Sequence, residues 1–511
     1  MDEIVILEER ANKIKKKFNS WIEDNQNKFF FGILIVSLIL RIYYFFLTLN
    51  QPLWWDEAEY MSMAKAWAFD NFEYGFLAVR PILFSLIATI FLKITSTIGA
   101  AELFLRLFMF VLSFLSVVGT YYLGKEICNK KVGLISSLFM SVFYLNLFFS
   151  YRLLVDLPSL TFFIFTALFF YKYLNTNSPK MLYLGSVIIA IGTLFKLSTA
   201  SFLFAFLIFL LFTQKLSFLK KKEIWIAGAI FFLILAPYII WGYFQFHGFV
   251  IIQAGAFNAP ESSYLSNGFT NVKSYLSSFP TYLSWPLLIF FLFGILALLF
   301  KLLIGFDFLV KNKSPDTKKN FYLILIFLVP LITISLSLGY IEDRYLLPSF
   351  PAIFIIASIF IMKTYDWVKK NNKTIAILLL ILLLGYVAYF QLNANDLLMK
   401  SKINSYGDIK SAGLWIEENL DENSVVFTRS VPQIAYYTNI KVRDIPKEKE
   451  VFLEQLSNLD NTTNPFLMIS IFERHIEEWI YPYPQEANLT PIKVYFLDPE
   501  QTQPSLVIYR V

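Results

Sequence analysis

Two adjacent carboxylates, Asp56 and Glu57, follow a pair of tryptophans and precede Tyr60 early in the chain. A carboxylate held near a membrane surface among aromatic side chains can act as a general base, which takes a proton from an attacking hydroxyl. The two residues also stand where a helix would begin, and acidic side chains there stabilise a helix by about 1 kcal/mol. The catalytic and the helix-start interpretations are compatible.

Three basic residues at distant positions, Arg80, Lys196 and Arg344, are the natural complement of these carboxylates. Their side chains can hold a phosphate through charge-assisted hydrogen bonds, which strengthen as negative charge develops on a departing phosphate. Each one taken alone is also explained as a long cation that reaches towards the membrane surface. As a set, they indicate a reaction in which a phosphate is the leaving group.

Asp156 has two interpretations that the sequence leaves open. It can orient one of the cations or a sugar hydroxyl. It can also cap the following helix, with Pro158 in the first turn, where proline is tolerated.

Residues that commonly bind metals are scarce. The chain has one cysteine, Cys128, and two widely separated histidines, His247 and His475. They form neither a histidine cluster nor a multi-cysteine site. The sequence therefore does not support a divalent metal, and no other cofactor is predicted.

The composition indicates which elements must position these residues. Of the 511 residues, 57% are hydrophobic and 16% are charged, and the mean hydropathy is +0.57. Such values lie outside the range of soluble domains and are typical of a chain with several membrane helices. The net charge of +6 comes largely from lysines in short connections, where membrane orientation explains them and nucleic-acid binding is not expected.

Apolar segments long enough to be considered as membrane spans recur along the chain. They lie at about 29–49, 81–98, 102–123, 132–150, 157–174, 181–213, 224–242, 279–303, 321–340, 345–362 and 374–392. If all of them crossed, the lysine-rich loops near Lys125 and Lys220 would face outward, against the positive-inside tendency. We therefore interpret 81–98 as a helix in the outer interface and 181–213 as a hairpin with Lys196 at its outer tip. About eleven spans result.

This topology brings the candidate residues to one side of the membrane. They are Asp56, Glu57, Arg80, Asp156, Lys196 and the cluster from Glu342 to Arg344. An ionisable side chain at the centre of a membrane helix costs about 2.5–3.5 kcal/mol, so a set that converges on one face predicts a functional site. The alternative is that these residues are ordinary charges of the outer loops.

The chain is predicted to have three regions. Residues 1–28 form a cytoplasmic N-terminal segment, 29–393 a mainly α-helical membrane domain, and 394–511 an extracytoplasmic α/β domain. The last region contains alternating helix and strand patterns, beginning with a helix at 406–420 and a strand at 424–428. We expect a multi-pass plasma-membrane protein whose active site lies outside the cytoplasm.

Six short motifs are distributed over most of the membrane region. They are DEAEY at 56–60, RPIL at 80–83, LRL at 105–107, DLP at 156–158, GTLFK at 192–196 and RYLLP at 344–348. In this order they resemble the GT-C class of integral membrane glycosyltransferases, and within it the protein O-mannosyltransferase and aminoarabinose-transferase group, similar to glycosyltransferase families 39 and 83. The chain departs from that pattern at Ile82, where the family has a second proline, and at Val79, where some relatives have an acidic residue. A metal site borrowed from those relatives is therefore not expected.

The resemblance implies a GT-C fold and an inverting transfer of a sugar from a polyprenyl or dolichyl phosphate donor. The acceptor would be a protein, a lipid or a lipid-linked glycan on the non-cytoplasmic face. Asp56 would be the general base, and Glu57 would hold the acceptor or position Asp56. The residues implied to bind substrate are Arg80, Lys196 and Arg344, which would hold the donor phosphate, together with Tyr60, Asp156 and Tyr345.

Two other classes of protein fit part of the pattern. A transporter or flippase of a lipid-linked or anionic substrate would also have a charged outer vestibule, but such proteins usually show repeated halves with sites at the bilayer midplane. The sequence shows neither feature. A receptor or scaffold would leave Lys196 and the Asp56–Glu57 pair unexplained.

Overall fold

Helices dominate the computed structural model, which describes residues 24–69, 80–250, 252–253, 264–311, 314–473 and 477–511. The predicted N-terminal segment 1–28 lies almost entirely outside the described residues, as do Val79 and His475. Contacts divide the chain into two units. The first unit comprises 1–47, 108–151 and 155–398, and the second comprises 48–107, 152–154 and 399–511.

The helices up to residue 402 carry most of the apolar sequence. They are α1 (Asn25–Leu47), α2 (Trp55–Phe69), α3 (Leu83–Thr95), α4 (Ile98–Ile127), α5 (Lys130–Val142), α6 (Tyr144–Phe149), α7 (Asp156–Thr176), α8 (Pro179–Phe195), α9 (Ser201–Gln214), α10 (Lys222–Phe246), α11 (Tyr264–Leu283), α12 (Trp285–Ile304), α13 (Phe306–Val310), α14 (Pro315–Ser337), α15 (Phe350–Asn371) and α16 (Lys373–Lys402). Short 3-10 helices at Leu197–Ala200, Lys215–Lys220 and Asp343–Ser349 connect or extend them.

Within the described residues, nine helical stretches are long and apolar enough to cross a membrane. Two further apolar helices, α3 and α8, are shorter. The 13 residues of α3 rise about 20 Å at 1.5 Å per residue, which is less than a hydrocarbon core of about 30 Å. This length agrees with the interpretation of 81–98 as an interfacial helix. The predicted break at Lys196 is present, because this residue separates α8 from the helical stretch that begins at Leu197.

Two predicted segments differ in detail from the structure. The segment 132–150 is interrupted at Phe143, whose non-helical backbone separates α5 from α6. The apolar segment 279–303 contains the end of one helix and most of the next. Helix α11 continues through Pro280 to Leu283, Ser284 adopts a φ of 67°, and α12 begins only at Trp285. A positive φ at a non-glycine residue cannot continue a right-handed helix, so the helix must restart.

Residues after α16 form the predicted α/β fold. Its helices are α17 (Gly407–Asn419), α18 (Val431–Tyr437), α19 (Lys449–Ser457) and α20 (Tyr483–Glu486), and its strands are β1 (Ser424–Phe427), β2 (Lys441–Arg443), β3 (Asn464–Ser470), β4 (Thr490–Phe496) and β5 (Pro504–Arg510). Within the described part of the chain, the sheet order is β2-β1-β3-β5-β4, with β2, β1 and β3 parallel and the other pairs antiparallel. Apolar residues cover both faces, with Ile409 and Ile434 on one side and Phe452 and Ile480 on the other. The short strand β2 was not predicted.

Candidate active site

Glu57 lies in the first turn of α2, and its carboxylate is fully buried. One oxygen accepts a hydrogen bond from the Trp54 backbone N–H at 2.6 Å, as a first-turn Glu does in a capping box. The other accepts the Leu153 backbone N–H at 2.6 Å. The helix-start interpretation therefore holds for Glu57.

Arg152 is the charged partner of Glu57. Its Nη1 lies 3.3 Å from the Glu57 carboxylate, and the guanidinium also donates to the backbone carbonyls of Pro52 and Lys402, at 3.0 Å each. The same group stacks 4.1 Å from the ring centre of Trp54. Burial lowers the pKa of Arg152 to about 10 although Glu57 opposes the shift. A carboxylate and a guanidinium that are both so enclosed hold the chain together and have little access to substrate.

Asp56, the preceding residue, has a different environment. Its side chain is 22% exposed, and Oδ1 lies 2.6 Å from Nη2 of Arg80. Nε of Arg80 lies 2.5 Å from Glu59, which also accepts a hydrogen bond from the Trp55 indole at 2.9 Å. The Arg80 guanidinium lies 5.4 Å from the ring centre of Tyr60. One cation thus joins two carboxylates at a surface that solvent reaches.

The charged groups in this cluster shift one another's pKa values. Burial acts to lower the pKa of Arg80, but attraction to Asp56 and Glu59 outweighs it, and the pKa lies well above its usual value. Burial raises the pKa of Glu59, although Arg80 opposes this. Arg80 therefore remains charged throughout the physiological range.

Helix α2 is fixed inside the second unit from two sides. Ser85 and Thr89 of α3 donate to the Tyr60 and Ala64 carbonyls, at 2.9 and 3.2 Å. On the other side, the buried Lys65 ammonium donates to carbonyls at the C-terminal end of α18. The acceptors are Ala435 at 3.2 Å, Tyr436 at 3.1 Å and Thr438. A cation at a helix C-terminus satisfies carbonyls that the helix leaves unpaired, so the predicted first loop and the C-terminal domain are one packed body.

A second cluster lies in the first unit, at the ends of three helical stretches. Asp156 is the first residue of α7, and its Oδ1 lies 2.5 Å from the Lys196 ammonium. Its Oδ2 lies 3.8 Å from Nη1 of Arg344, whose Nε lies 2.6 Å from Glu342. The Tyr345 ring centre lies 4.3 Å from the Lys196 ammonium and 5.2 Å from the Arg344 guanidinium.

The geometry distinguishes between the two interpretations of Asp156. Val155 occupies the position before the helix, and no side chain makes a capping hydrogen bond there. The Asp156 carboxylate instead contacts two cations that lie far apart in the sequence. The cluster joins two cations to two carboxylates, and a ligand can reach it at Lys196, which is 21% exposed, and at Glu342, which is 36% exposed.

Three charged residues of these clusters were missed by the sequence interpretation: Glu59, Arg152 and Glu342. Glu59 lies inside the 56–60 motif, and the four-residue spacing from Trp55 predicts a contact on one helix face. Glu342 belongs to the outer cluster that the sequence identified, but no role was assigned to it. No signal in the sequence connects Arg152 with Glu57, since only folding brings them together. Within the described residues, no group of three or more His, Cys, Asp or Glu side chains is arranged to hold a metal ion.

Comparisons with known proteins agree with this architecture. A family model described as dolichyl-phosphate-mannose-protein mannosyltransferase matches residues 79–241, about a third of the chain. No curated protein sequence matches the chain. The structure of ArnT from Cupriavidus metallidurans bound to undecaprenyl phosphate matches with a TM-score of 0.64 and 11% identity, over 94% of this chain and 97% of that one.

Two structures of the oligosaccharyltransferase from Archaeoglobus fulgidus also match. The complex with Zn and sulfate has a TM-score of 0.57 and 12% identity, over 86% of this chain and 68% of that one. The complex of that enzyme, AglB, with an inhibitory peptide and a dolichol-phosphate has a TM-score of 0.52 and 11% identity, over 86% of this chain and 69% of that one.

These matches define the fold. The chain has the GT-C fold of integral membrane glycosyltransferases, as the resemblance of its motifs predicted. The matches favour the enzyme over the transporter and the scaffold that were considered from the sequence.

Proposed function

We propose that this enzyme transfers a sugar from a polyprenyl or dolichyl phosphate donor to an acceptor hydroxyl on the non-cytoplasmic face of the plasma membrane. The observation that carries the proposal is the cluster in which Lys196 and Arg344 share Asp156 at the ends of apolar helices. Two cations held together at a membrane boundary suit a lipid-linked phosphate. In support, the ArnT and AglB structures contain undecaprenyl phosphate and dolichol-phosphate.

Donor binding, in this proposal, displaces a carboxylate from a cation. Glu342 is partly exposed and contacts Arg344 at 2.6 Å, so a donor phosphate can take its place with the same charge sign and a similar geometry. Asp156 keeps Lys196 and Arg344 at a fixed separation, and Tyr345 supports both from one side. As the bond from sugar to phosphate breaks, these cations stabilise the growing negative charge.

The base is proposed to be Asp56. While Arg80 contacts it at 2.6 Å, the guanidinium favours the charged carboxylate and makes it a weaker base. By resemblance Arg80 is also a ligand of the donor phosphate, and a phosphate that attracts Arg80 weakens this contact. Asp56 then becomes a stronger base only when a donor is bound. Glu57 is assigned to positioning Asp56, because its own carboxylate is enclosed.

The chemical step balances with these groups. The acceptor oxygen attacks the anomeric carbon from the face opposite the phosphate, and a new glycosidic bond forms as the bond to the phosphate oxygen breaks. The electron pair leaves with the lipid phosphate, and the acceptor proton moves to Asp56. The configuration at the anomeric carbon is inverted.

The acceptor is proposed to be a protein, a lipid or a lipid-linked glycan that the C-terminal domain binds or covers. In support of this role, α2 is joined to α18 of that domain through Lys65 and through Ser62, whose hydroxyl donates to the Pro432 carbonyl at 2.9 Å. The lysine-rich connections support a cytoplasmic N-terminus, and by the same rule α2 and the C-terminal domain lie on the opposite side.

The direct test supplies purified enzyme with a radiolabelled lipid-phosphate sugar and an acceptor panel, and follows the release of lipid phosphate. We expect release by the parent enzyme, and strongly reduced release at subsaturating donor in Lys196→Gln and Arg344→Gln. Lys311→Gln is the matched control, because Lys311 is an exposed lysine paired with Asp307. Release that is unchanged in both cluster variants would overturn the assignment of the donor site.

A further inference from the structure

A cavity lined by lysines lies in the first unit, at the end of the helices opposite the Asp156 cluster. Its volume is about 740 Å³, within the range of about 300–1,000 Å³ that small-molecule sites occupy. The polar side chains in its lining include Gln214, Lys215, Lys221, Asp316, Lys318 and Lys319. The proposed sugar transfer uses none of these residues.

Three helices separate this cavity from the donor cluster. Asp156 begins α7, whose other end at Tyr171–Asn177 reaches the cavity wall. Lys196 precedes the stretch that ends at Gln214, and α14 runs from the cavity towards Arg344. The 21 residues of α7 span about 30 Å, which is the thickness of a hydrocarbon core. The cavity and the donor cluster therefore lie at opposite membrane faces.

The charge of the cavity is strongly positive. Asp316, its one carboxylate, is paired with Lys319 at 2.5 Å. Among the described residues, no carboxylate oxygen lies within 4 Å of the ammonium groups of Lys215, Lys221 or Lys318. Lys221 and Lys318 are partly buried, although lysine normally extends its charge into water. Three lysines without such a partner concentrate positive charge around one concave space, which an anion from outside the chain can neutralise.

The backbone at the cavity is held in an unusual conformation. Lys215 has a φ of 52° and a ψ of −138°, which is rare for a residue with a side chain. The short 3-10 helix that follows it, Lys215–Lys220, ends one residue before Lys221. Strained residues of this kind concentrate where a site must be formed. In addition, the buried side-chain oxygen of Gln214 has no hydrogen-bond partner among the described residues, so it can accept a hydrogen bond from a ligand hydroxyl.

From these observations we infer that the cavity is a second anion site, which binds a phosphate-bearing ligand on the face opposite the donor site. A phosphodiester meets the lysines at its oxygens. Apolar and aromatic lining residues, Leu174, Tyr171 and Phe209, suit the acyl chains of a phospholipid where they leave its headgroup. Basic pockets between membrane helices on the cytoplasmic side typically bind anionic lipid headgroups, so a phospholipid is the expected source of the phosphate.

The test uses full-length enzyme in phosphatidylcholine nanodiscs. Adding phosphatidylglycerol or cardiolipin should raise Tm by about 3 °C or more, and native mass spectrometry should detect the retained lipid. The variant Lys215→Gln/Lys221→Gln/Lys318→Gln should lose both effects, and Lys318→Gln alone should lose part of them. The matched control is Lys180→Gln/Lys369→Gln/Lys370→Gln, which removes three exposed lysines from the same face but outside the cavity.

Parallel Tm measurements with inorganic phosphate and with glycerol 3-phosphate, both water-soluble, identify the source of the anion. If anionic lipid raises Tm in the parent enzyme and in the control variant, the result would support a phospholipid as the ligand of the cavity. Stabilisation by the soluble anions instead, with the same lysine dependence, would support the site and assign it to a soluble ligand. Equal losses in the two triple variants, or no stabilisation by any anion, would overturn the inference. Release of lipid phosphate from the sugar donor is measured separately, so failure here is distinct from failure of the proposed transfer.

Discussion

Asp56 and Glu57 are neighbours in α2, yet their side chains lie in two different regions of the second unit. The Glu57 region is enclosed, since both Glu57 and Arg152 expose 1% or less of their side chains and backbone N–H groups complete the contacts. The Asp56 region is open, and about a fifth of both Asp56 and Arg80 remains accessible. Successive residues on a helix point about 100° apart, which is enough to separate them.

The comparison shows that neighbouring residues of one acidic motif can have different environments, one suited to structural support and the other to contact with substrate. A buried ion pair resists exchange, because opening it leaves a charge without water or a partner. An ion pair whose carboxylate is partly exposed gives an incoming anion a route to the cation, as is proposed for Glu342 on the buried Arg344. Chemistry is therefore expected at Asp56, and support at Glu57.

The largest expected effect is that of Asp56→Asn on turnover. Loss of the general base should lower kcat by about 10²–10⁴-fold, because the proton of the acceptor hydroxyl loses its proposed acceptor. Tm should stay close to that of the parent, since Asp56 is partly exposed. The measurement is release of lipid phosphate at saturating donor, with Asp307→Asn as an exposed acidic control. Parent-like turnover would remove Asp56 from the mechanism.

Glu57→Gln should affect stability more than chemistry. Leaving Arg152 buried without its carboxylate costs about 3–5 kcal/mol, which should lower Tm and the yield of folded enzyme. The rate per folded molecule should fall much less than in Asp56→Asn. The double variant Glu57→Leu/Arg152→Met removes both charges. Its loss in free energy of unfolding should be smaller than the sum of the losses in the two single variants. A stable Glu57→Gln enzyme without activity would reverse the comparison.

Lys196→Gln and Arg344→Gln should weaken donor binding to an intermediate degree. A hydrogen bond to a charged group contributes about 1.5–3 kcal/mol, so the KM for the lipid-phosphate sugar should rise roughly 10–100-fold per variant. Glu342→Gln should lower that KM, because it removes the carboxylate that competes with the phosphate for Arg344. Donor titrations measure both. A higher KM in Glu342→Gln would contradict the proposal that the donor phosphate replaces Glu342 at Arg344.

The smallest expected effect concerns Glu473, a buried carboxylate in the C-terminal domain. It accepts hydrogen bonds from the Thr428 hydroxyl at 2.7 Å and the Ser430 N–H at 3.2 Å, but burial raises its pKa to about 7. Because this pKa is raised on folding, its contribution to stability is full below about pH 4.5 and is lost as the pH rises through 7.

A shift of the pKa from 4.5 to about 7 corresponds to about 3 kcal/mol of stability. The effect is the smallest on activity, because Glu473 takes no part in the proposed transfer. Thermal unfolding of the full-length enzyme between pH 5 and 8, followed by tryptophan fluorescence, should show a decline that Glu473→Gln reduces. Identical pH profiles for parent and variant would show that Glu473 titrates normally.

Much of the fold was predictable because membrane helices are specified locally. Apolar length identified most of the helical stretches, and the positive-inside tendency separated the short α3 from the others. The break at Lys196 was predictable because a 33-residue helix exceeds the membrane thickness. The restart at Ser284 was not, since nothing in its side chain requires a positive φ.

The site was predicted less completely, and for a different reason. The sequence by itself determined the residue types: acidic residues after the first span, and cations at the ends of later ones. Only the tertiary structure decided which cation meets which carboxylate, because Arg80 reaches Asp56 across 24 positions and Arg152 reaches Glu57 across 95. Ion pairing depends on distance and burial, and the packing of the whole unit fixes both. Packing therefore made Glu57 a support and left Asp56 accessible.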